Sequence, residues 1–269
     1  MEFKNSIRIM KKDWKTSIKR KEILAPMILL PLIFTIFIPL VMLIGVLFDP
    51  EEFSTTFGYN DVSSLLGIPT HYNMYLVGAT MMIKMLILPM FLFIPGLLPS
   101  LISSDSFAGE KERKTMESLA LLPITKTELI LGKILVSFIP TIIISFLCFA
   151  GTGLIVNLIL ISHLEGNLLF FTDLTTLLIG FLLSPLLTLL NIQISVIISS
   201  RSKDLKSAQS IAGALVTPLI AIIFVQMFNP AFLSIPTVLI LSAIIAIFCL
   251  ILINIANRLL DLEKLILML

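Results

Sequence analysis

Histidine and cysteine are nearly missing from this chain, with two of each among 269 residues. His71 and His163 stand at the ends of apolar runs, with no cysteine or carboxylate at ligand spacing, so no metal centre is expected. Cys148 and Cys249 lie inside apolar runs and read as small core residues, not as a disulfide framework. Charge is also scarce: 13% of residues are charged against 57% hydrophobic, and mean hydropathy is +1.07. A soluble domain could not carry that balance. No phosphate loop occurs, because Gly132-Lys133 lacks both the earlier glycine and the following hydroxyl of G-x-x-x-x-G-K-[ST]. No G-x-S-x-G lies near a histidine partner. The chain is therefore not expected to be an enzyme or to hold a cofactor.

What is present are six apolar runs, each long enough to cross a hydrocarbon core of about 30 Å as a helix of roughly 20 residues. They fall near 24–48, 74–104, 129–160, 174–199, 208–227 and 235–256. The fold class that follows is an all-α membrane protein of six transmembrane helices. Of 19 basic residues, all but Lys84 lie before the first span, in or near the second connection, in the fourth, or at the C-terminal end. The first, third and fifth connections hold only acids: Asp49, Glu51, Glu52, Asp61, Glu165 and Asp173. Basic loops stay on the cytoplasmic side, so both termini are expected in the cytoplasm. The net charge of +2 is thus a polarised distribution across a bilayer and carries no nucleic-acid signal.

Residues 1–22 form a unit of their own before the six-helix domain of 23–269. Phe3, Ile7, Met10, Trp14 and Ile18 recur at helical spacing between Lys4, Arg8, Lys11, Lys15 and Lys19. Such a helix suits the headgroup layer, although the lysines would also serve topology alone. The long basic region and the lack of a small-residue cleavage pattern argue against a removable signal. Pro26, Pro31 and Pro39 should bend the first span, and Pro89, Pro95 and Pro99 the second, whether for packing or for gating. Gly96, Ser100 and Ser104, and Ala208 with Ala212, permit close helix contact.

The segment 105–128 is different. Glu110, Lys111, Glu112, Arg113, Lys114 and Glu117 make it too polar for hydrocarbon, and its helix formers make it more than slack linker. Thr115 can cap a short helix with Glu117 in its first turn. Thr125 and Glu128 have the spacing of a capping box that opens the third span. On these grounds alone the segment is either a surface connector or something a cytosolic partner grips.

The stretch from Ser106 to Lys133, SFAGEKERKTMESLALLPITKTELILGK, resembles the permease subunits of ABC-2 type ABC transporters. The matching residues are Phe107, Gly109, Glu110, Arg113, Thr115, Glu117, Leu119, Pro123, Glu128, Gly132 and Lys133. The resemblance implies a cytoplasmic coupling helix between spans two and three that docks into a separate cytosolic ABC ATPase, where ATP and Mg²⁺ would bind. By position it assigns docking to Glu110, Arg113, Thr115, Met116, Glu117 and Leu119. It further implies a second permease subunit, most simply another copy of this chain, a place in the plasma membrane, and export. The first connection is shorter than the large external domain of many sodium-exporting relatives, so sodium is not favoured as cargo.

Lys84 is charged within a span and has two roles open to it. Either it lines a translocation path with Asn191 and Gln193, or it snorkels or pairs with Asp173 or Glu165. Asn157, Asn191, Gln193, Gln226 and Asn254 otherwise read as interhelical hydrogen-bonders. Two further classes compete. Glu110, Glu112 and Arg113 are similar to the glutamates and arginine of CAAX-type intramembrane metalloproteases, but both histidines lie across the bilayer from them. An ion-coupled secondary transporter would bury acids near the midplane, and the spans hold none.

Overall fold

A computed structural model describes residues 3–17, 19–48, 65–69, 72–115, 125–164, 168–202 and 204–259. Among these every regular element is helical. An N-terminal helix α1 (Phe3–Ser17) precedes six long helices. They are α2 (Ile23–Phe48), α3 (Met74–Glu112), α4 (Lys126–Ile159), α5 (Leu174–Arg201), α6 (Leu205–Phe228) and α7 (Ile235–Leu259). All six apolar runs are thus helices.

The centre of the bundle is α3. Its most apolar stretch is 72% buried, against 18% in α6. Gly96 takes the Leu219 side chain of α6, and Ser100, Ser104, Ala208 and Ala212 are all buried, so the small-residue stripes do bring helices close. Phe149 of α4 fixes the core beyond them, with its ring centroid 5.6 Å from Phe91, 5.0 Å from Phe170 and 5.5 Å from Phe181. The outer faces of α2, α4, α6 and α7 leave large apolar side chains exposed, as lipid-facing helices do.

Three of the prolines act by widening their helices. A π turn at Leu32–Phe37 ends two residues before Pro39, one at Ile83–Ile87 two before Pro89, and one at Ile179–Leu183 two before Pro185. A proline ring clashes with the carbonyl four residues back, and one extra residue in the turn relieves that clash. The carbonyl left over must find another donor. In α3 the last π bond runs from Leu88 N–H to Ile83, so Pro89 leaves the Lys84 carbonyl unserved. Gln226 of α6 donates to that carbonyl at 3.1 Å. It also donates to the Pro230 carbonyl and accepts from Leu233 N–H, so it staples the α6–α7 turn to α3.

The length of α3 places Lys84 differently from the expectation of a residue well inside a span. At 39 residues and about 1.5 Å each, the helix is roughly twice as long as hydrocarbon requires. Lys84 pairs with Asp173, the N-cap of α5, at 3.0 Å and donates to the Leu66 carbonyl at 3.2 Å. It therefore sits level with the ends of α5 and α6. Between Lys84 and Asp105 lie twenty uncharged residues, 85–104, about 30 Å of helix, which matches one hydrocarbon core. Beyond Lys84, α3 overshoots into packing with Val46 and with Tyr75 against His163.

Candidate functional site

The second span was expected to end at Ser104, yet α3 continues to Glu112. The continuation begins with a fourth π turn, Asp105–Gly109, and this one has no proline behind it. Its cause is Ser199 of α5. The Ser199 hydroxyl accepts from Phe107 N–H at 3.0 Å and Ala108 N–H at 2.9 Å, and donates to the Ser104 carbonyl at 2.6 Å. One side chain thus satisfies the backbone groups that the widened turn leaves over.

Each charged residue that follows reaches a different element. Glu110 turns to α4 and α1. The Lys111 ammonium donates to the Ser200 and Ser202 carbonyls, at the C-terminal end of α5, where a cation complements the helix dipole. The Glu112 carboxylate accepts from Leu205 N–H at 3.4 Å, at the N-terminal end of α6. Arg113 returns to Asp105 at 3.0 Å. Lys114 then stops the helix in a left-handed conformation, φ 55°. Thr115 N–H bonds the Glu110 carbonyl and Lys114 N–H the Lys111 carbonyl, the paired bonds of a Schellman motif.

At the middle lies Lys133 of α4, fully buried. Its ammonium is 2.9 Å from Glu110 Oε2 and 3.4 Å from Asp13 Oδ2, donates to the Ser106 carbonyl, and sits 4.8 Å over the Phe107 ring. Lys12 approaches Glu110 Oε1 at 3.5 Å. A second knot joins Asp105 Oδ1 to Arg20 at 2.6 Å and to Arg113. The two knots, seven ionic side chains in all, flank a cavity of about 150 Å³ lined by Asp13, Asp105, Glu110 and Thr115. A cavity that size holds a few waters.

Two glycines make the approach possible. A Cβ on Gly109 would stand 1.8 Å from Asp105 Oδ1, so the Asp105–Arg113 pair runs over a bare backbone. A Cβ on Gly132 would meet Ile9 at 3.0 Å and the Ser6 carbonyl at 3.1 Å, where α1 lies across α4. The Ser6 hydroxyl also donates to the Glu128 carbonyl at 3.0 Å. Glu128 and Thr125 form the capping box that opens α4. The line of α1 facing α4 is Ser6, Ile9, Asp13 and Ser17, beside the apolar stripe; Ile7, Met10 and Trp14 are half-buried.

Of the residues expected to dock, Glu110 is buried with both carboxylate oxygens engaged, Arg113 is half-buried, and Thr115 is exposed. Met116, Glu117 and Leu119 lie outside the described residues, as does the expected short helix. Asp13, Asp105 and Ser199 were not singled out by sequence, and Lys133 entered only as a basic residue and as one position of the family resemblance. Asp13 did carry a signal, as the one acid in the α1 sequence. Lys84 stands 3.0 Å from Asp173. Asn191 bonds its own helix at the Leu187 carbonyl, and buried Gln193 Oε1 has no partner among the described residues. The three residues considered for a path are not gathered at one place: Lys84 is at one end, the two amides along α5.

The model of the family described as "ABC-2 family transporter protein" matches residues 7–237. No curated protein matches the chain.

Proposed function

We propose a mechanism from one premise: the chain belongs to the ABC-2 family of transporter proteins. It is the membrane-spanning permease of an ABC transporter, and neither a metalloprotease nor an ion-coupled carrier is favoured by that membership. In our reading a separate cytosolic ABC ATPase binds ATP and Mg²⁺ and grips the segment that starts at Thr115, with Met116, Glu117 and Leu119 as contacts. Glu110 and Arg113, drawn in behind it, are the anchors through which the grip is felt.

The observation that supports this is the buried Lys133–Glu110 pair, 2.9 Å long. It lies directly behind Thr115 and ties α3, α4 and α1 together, so a load on the segment cannot be absorbed by one helix bending alone. Closure of the ATPases would tilt α1 to α4 as one body against a second copy of the chain and turn a central path from inward to outward exposure. Lys84 stands at the outer mouth of that path, with Asn191 and Gln193 deeper along α5. The direction is export, the membrane is the plasma membrane, and both termini are cytoplasmic, where the basic residues of α1 meet anionic lipid.

Reconstitution of the chain with its ATPase in vesicles tests the reading. Replacing two of the proposed contacts, Glu117→Lys with Leu119→Asp, leaves the buried Lys133–Glu110 and Asp105–Arg113 pairs untouched and should separate ATP hydrolysis from transport. Normal coupling in that double variant would defeat the proposal.

A further inference from the structure

At the end of the bundle away from α1, two cavities share a wall. The larger, about 350 Å³, lies among α3, α5, α6 and α7, and the smaller, about 190 Å³, on the far side of α5's first turn. Lys84 and Asp173 line both. Neither is sealed; their side chains are 18% and 25% exposed.

The pair is built to be opened. Asp173 Oδ1 faces Lys84, while Oδ2 is held separately by Thr176 N–H at 3.0 Å and by the Thr176 hydroxyl at 2.9 Å. The Lys84 ammonium keeps the Leu66 carbonyl as a second partner. Each charge is therefore positioned by a group that does not depend on the other. Gln226, also on the wall, is fully committed to backbone and stays in place.

A ligand with one charge could satisfy only one member and would leave the other unpaired in a partly buried site, which is costly. A ligand carrying both charges replaces the pair without that loss. We propose that this double cavity binds a zwitterion, its phosphate or carboxylate on the Lys84 ammonium and its own ammonium on Asp173 Oδ1. Two sources offer that chemistry, a zwitterionic phospholipid headgroup and a free aqueous zwitterion. Lys84 stands at one end of the twenty-residue uncharged stretch of α3, at headgroup depth, and exposed Leu65 and Ile235 line the larger cavity.

The test uses the full chain purified in a neutral detergent and titrated calorimetrically. The probes are short-chain phosphatidylethanolamine, short-chain phosphatidylglycerol of the same acyl length, and phosphoethanolamine. Phosphatidylethanolamine should bind saturably and at least about tenfold more tightly than phosphatidylglycerol, since a charged hydrogen bond is worth a factor of that order. Lys84→Met and Asp173→Asn should each lose about tenfold or more, and the exchange Lys84→Asp with Asp173→Lys should recover binding. Tight binding of phosphoethanolamine would assign the site to free zwitterions, and binding of the lipid alone would assign it to the bilayer; both support the inference. The wild-type comparison needs no variant to fold. Equal affinity for the anionic lipid, no saturable binding of any zwitterion, or unchanged affinity in both single variants would overturn it.

Discussion

Lys133 and Glu110 form an ion pair 2.9 Å long with the two side chains 0% and 4% exposed. Twenty-three positions apart in sequence, they close the corner beside α1 that α3 and α4 would otherwise leave open. A buried pair is costly to assemble but more costly to half-remove, because the survivor is left as an uncompensated charge.

Lys133→Met should therefore destabilise the protein by about 3–5 kcal/mol, and Glu110→Gln by a smaller amount, since Lys133 keeps Asp13 and the Ser106 carbonyl. Thermal unfolding in detergent measures both. Equal, small losses would mean that the corner is solvated.

Ser199→Ala removes the acceptor for two backbone N–H groups and the donor to one carbonyl. Each buried group left unserved costs about 1–3 kcal/mol, so the turn should give way before the fold does. Hydrogen exchange at Phe107 and Ala108 should accelerate strongly, with amides in the core of α5 unchanged. Protection equal to wild type at those two positions would show the turn to be held by something else.

Gly109→Ala places a methyl where the Asp105 carboxylate now lies. The Asp105–Arg113 and Asp105–Arg20 contacts should break together, because one oxygen serves both. Thermal unfolding checks this: Gly109→Ala should destabilise the wild-type protein, and should cost much less once Asp105→Ala has already removed the carboxylate it would displace.

Lys114→Gly should stabilise the end of α3. A lysine at φ 55° carries roughly 1–2 kcal/mol of local strain that glycine lacks, offset in part by the greater freedom of glycine in the unfolded chain, about 0.4–1 kcal/mol. A net gain of about 0–1.6 kcal/mol in unfolding free energy is expected. A loss would mean that the lysine side chain makes a contact outside the described residues.

The six spans were legible because hydrocarbon thickness demands a minimum apolar length, and nothing else in a chain this size produces such runs. The Thr125–Glu128 box was legible for a similar reason: its partners are three residues apart. The corner was not. Lys133 was counted with the basic residues that set topology, and no local pattern tells a topological lysine from one buried against Glu110 and Asp13. Lys84 drew attention for standing inside a span, but the overshoot of α3, which brings it level with Asp173, depends on how far neighbouring helices extend. The fourth π turn was invisible because its cause, Ser199, lies ninety-odd positions downstream and looks like any other span hydroxyl.

The twenty uncharged residues between Lys84 and Asp105 make α3 a gauge. With an ion pair pinning each end, the helix can neither slide nor sink in a bilayer of different depth without dragging one charge into oil. Acyl-chain length is then a mechanical variable for this protein, and lipids a few carbons longer or shorter should strain the Asp105 knot before they disturb any apolar contact.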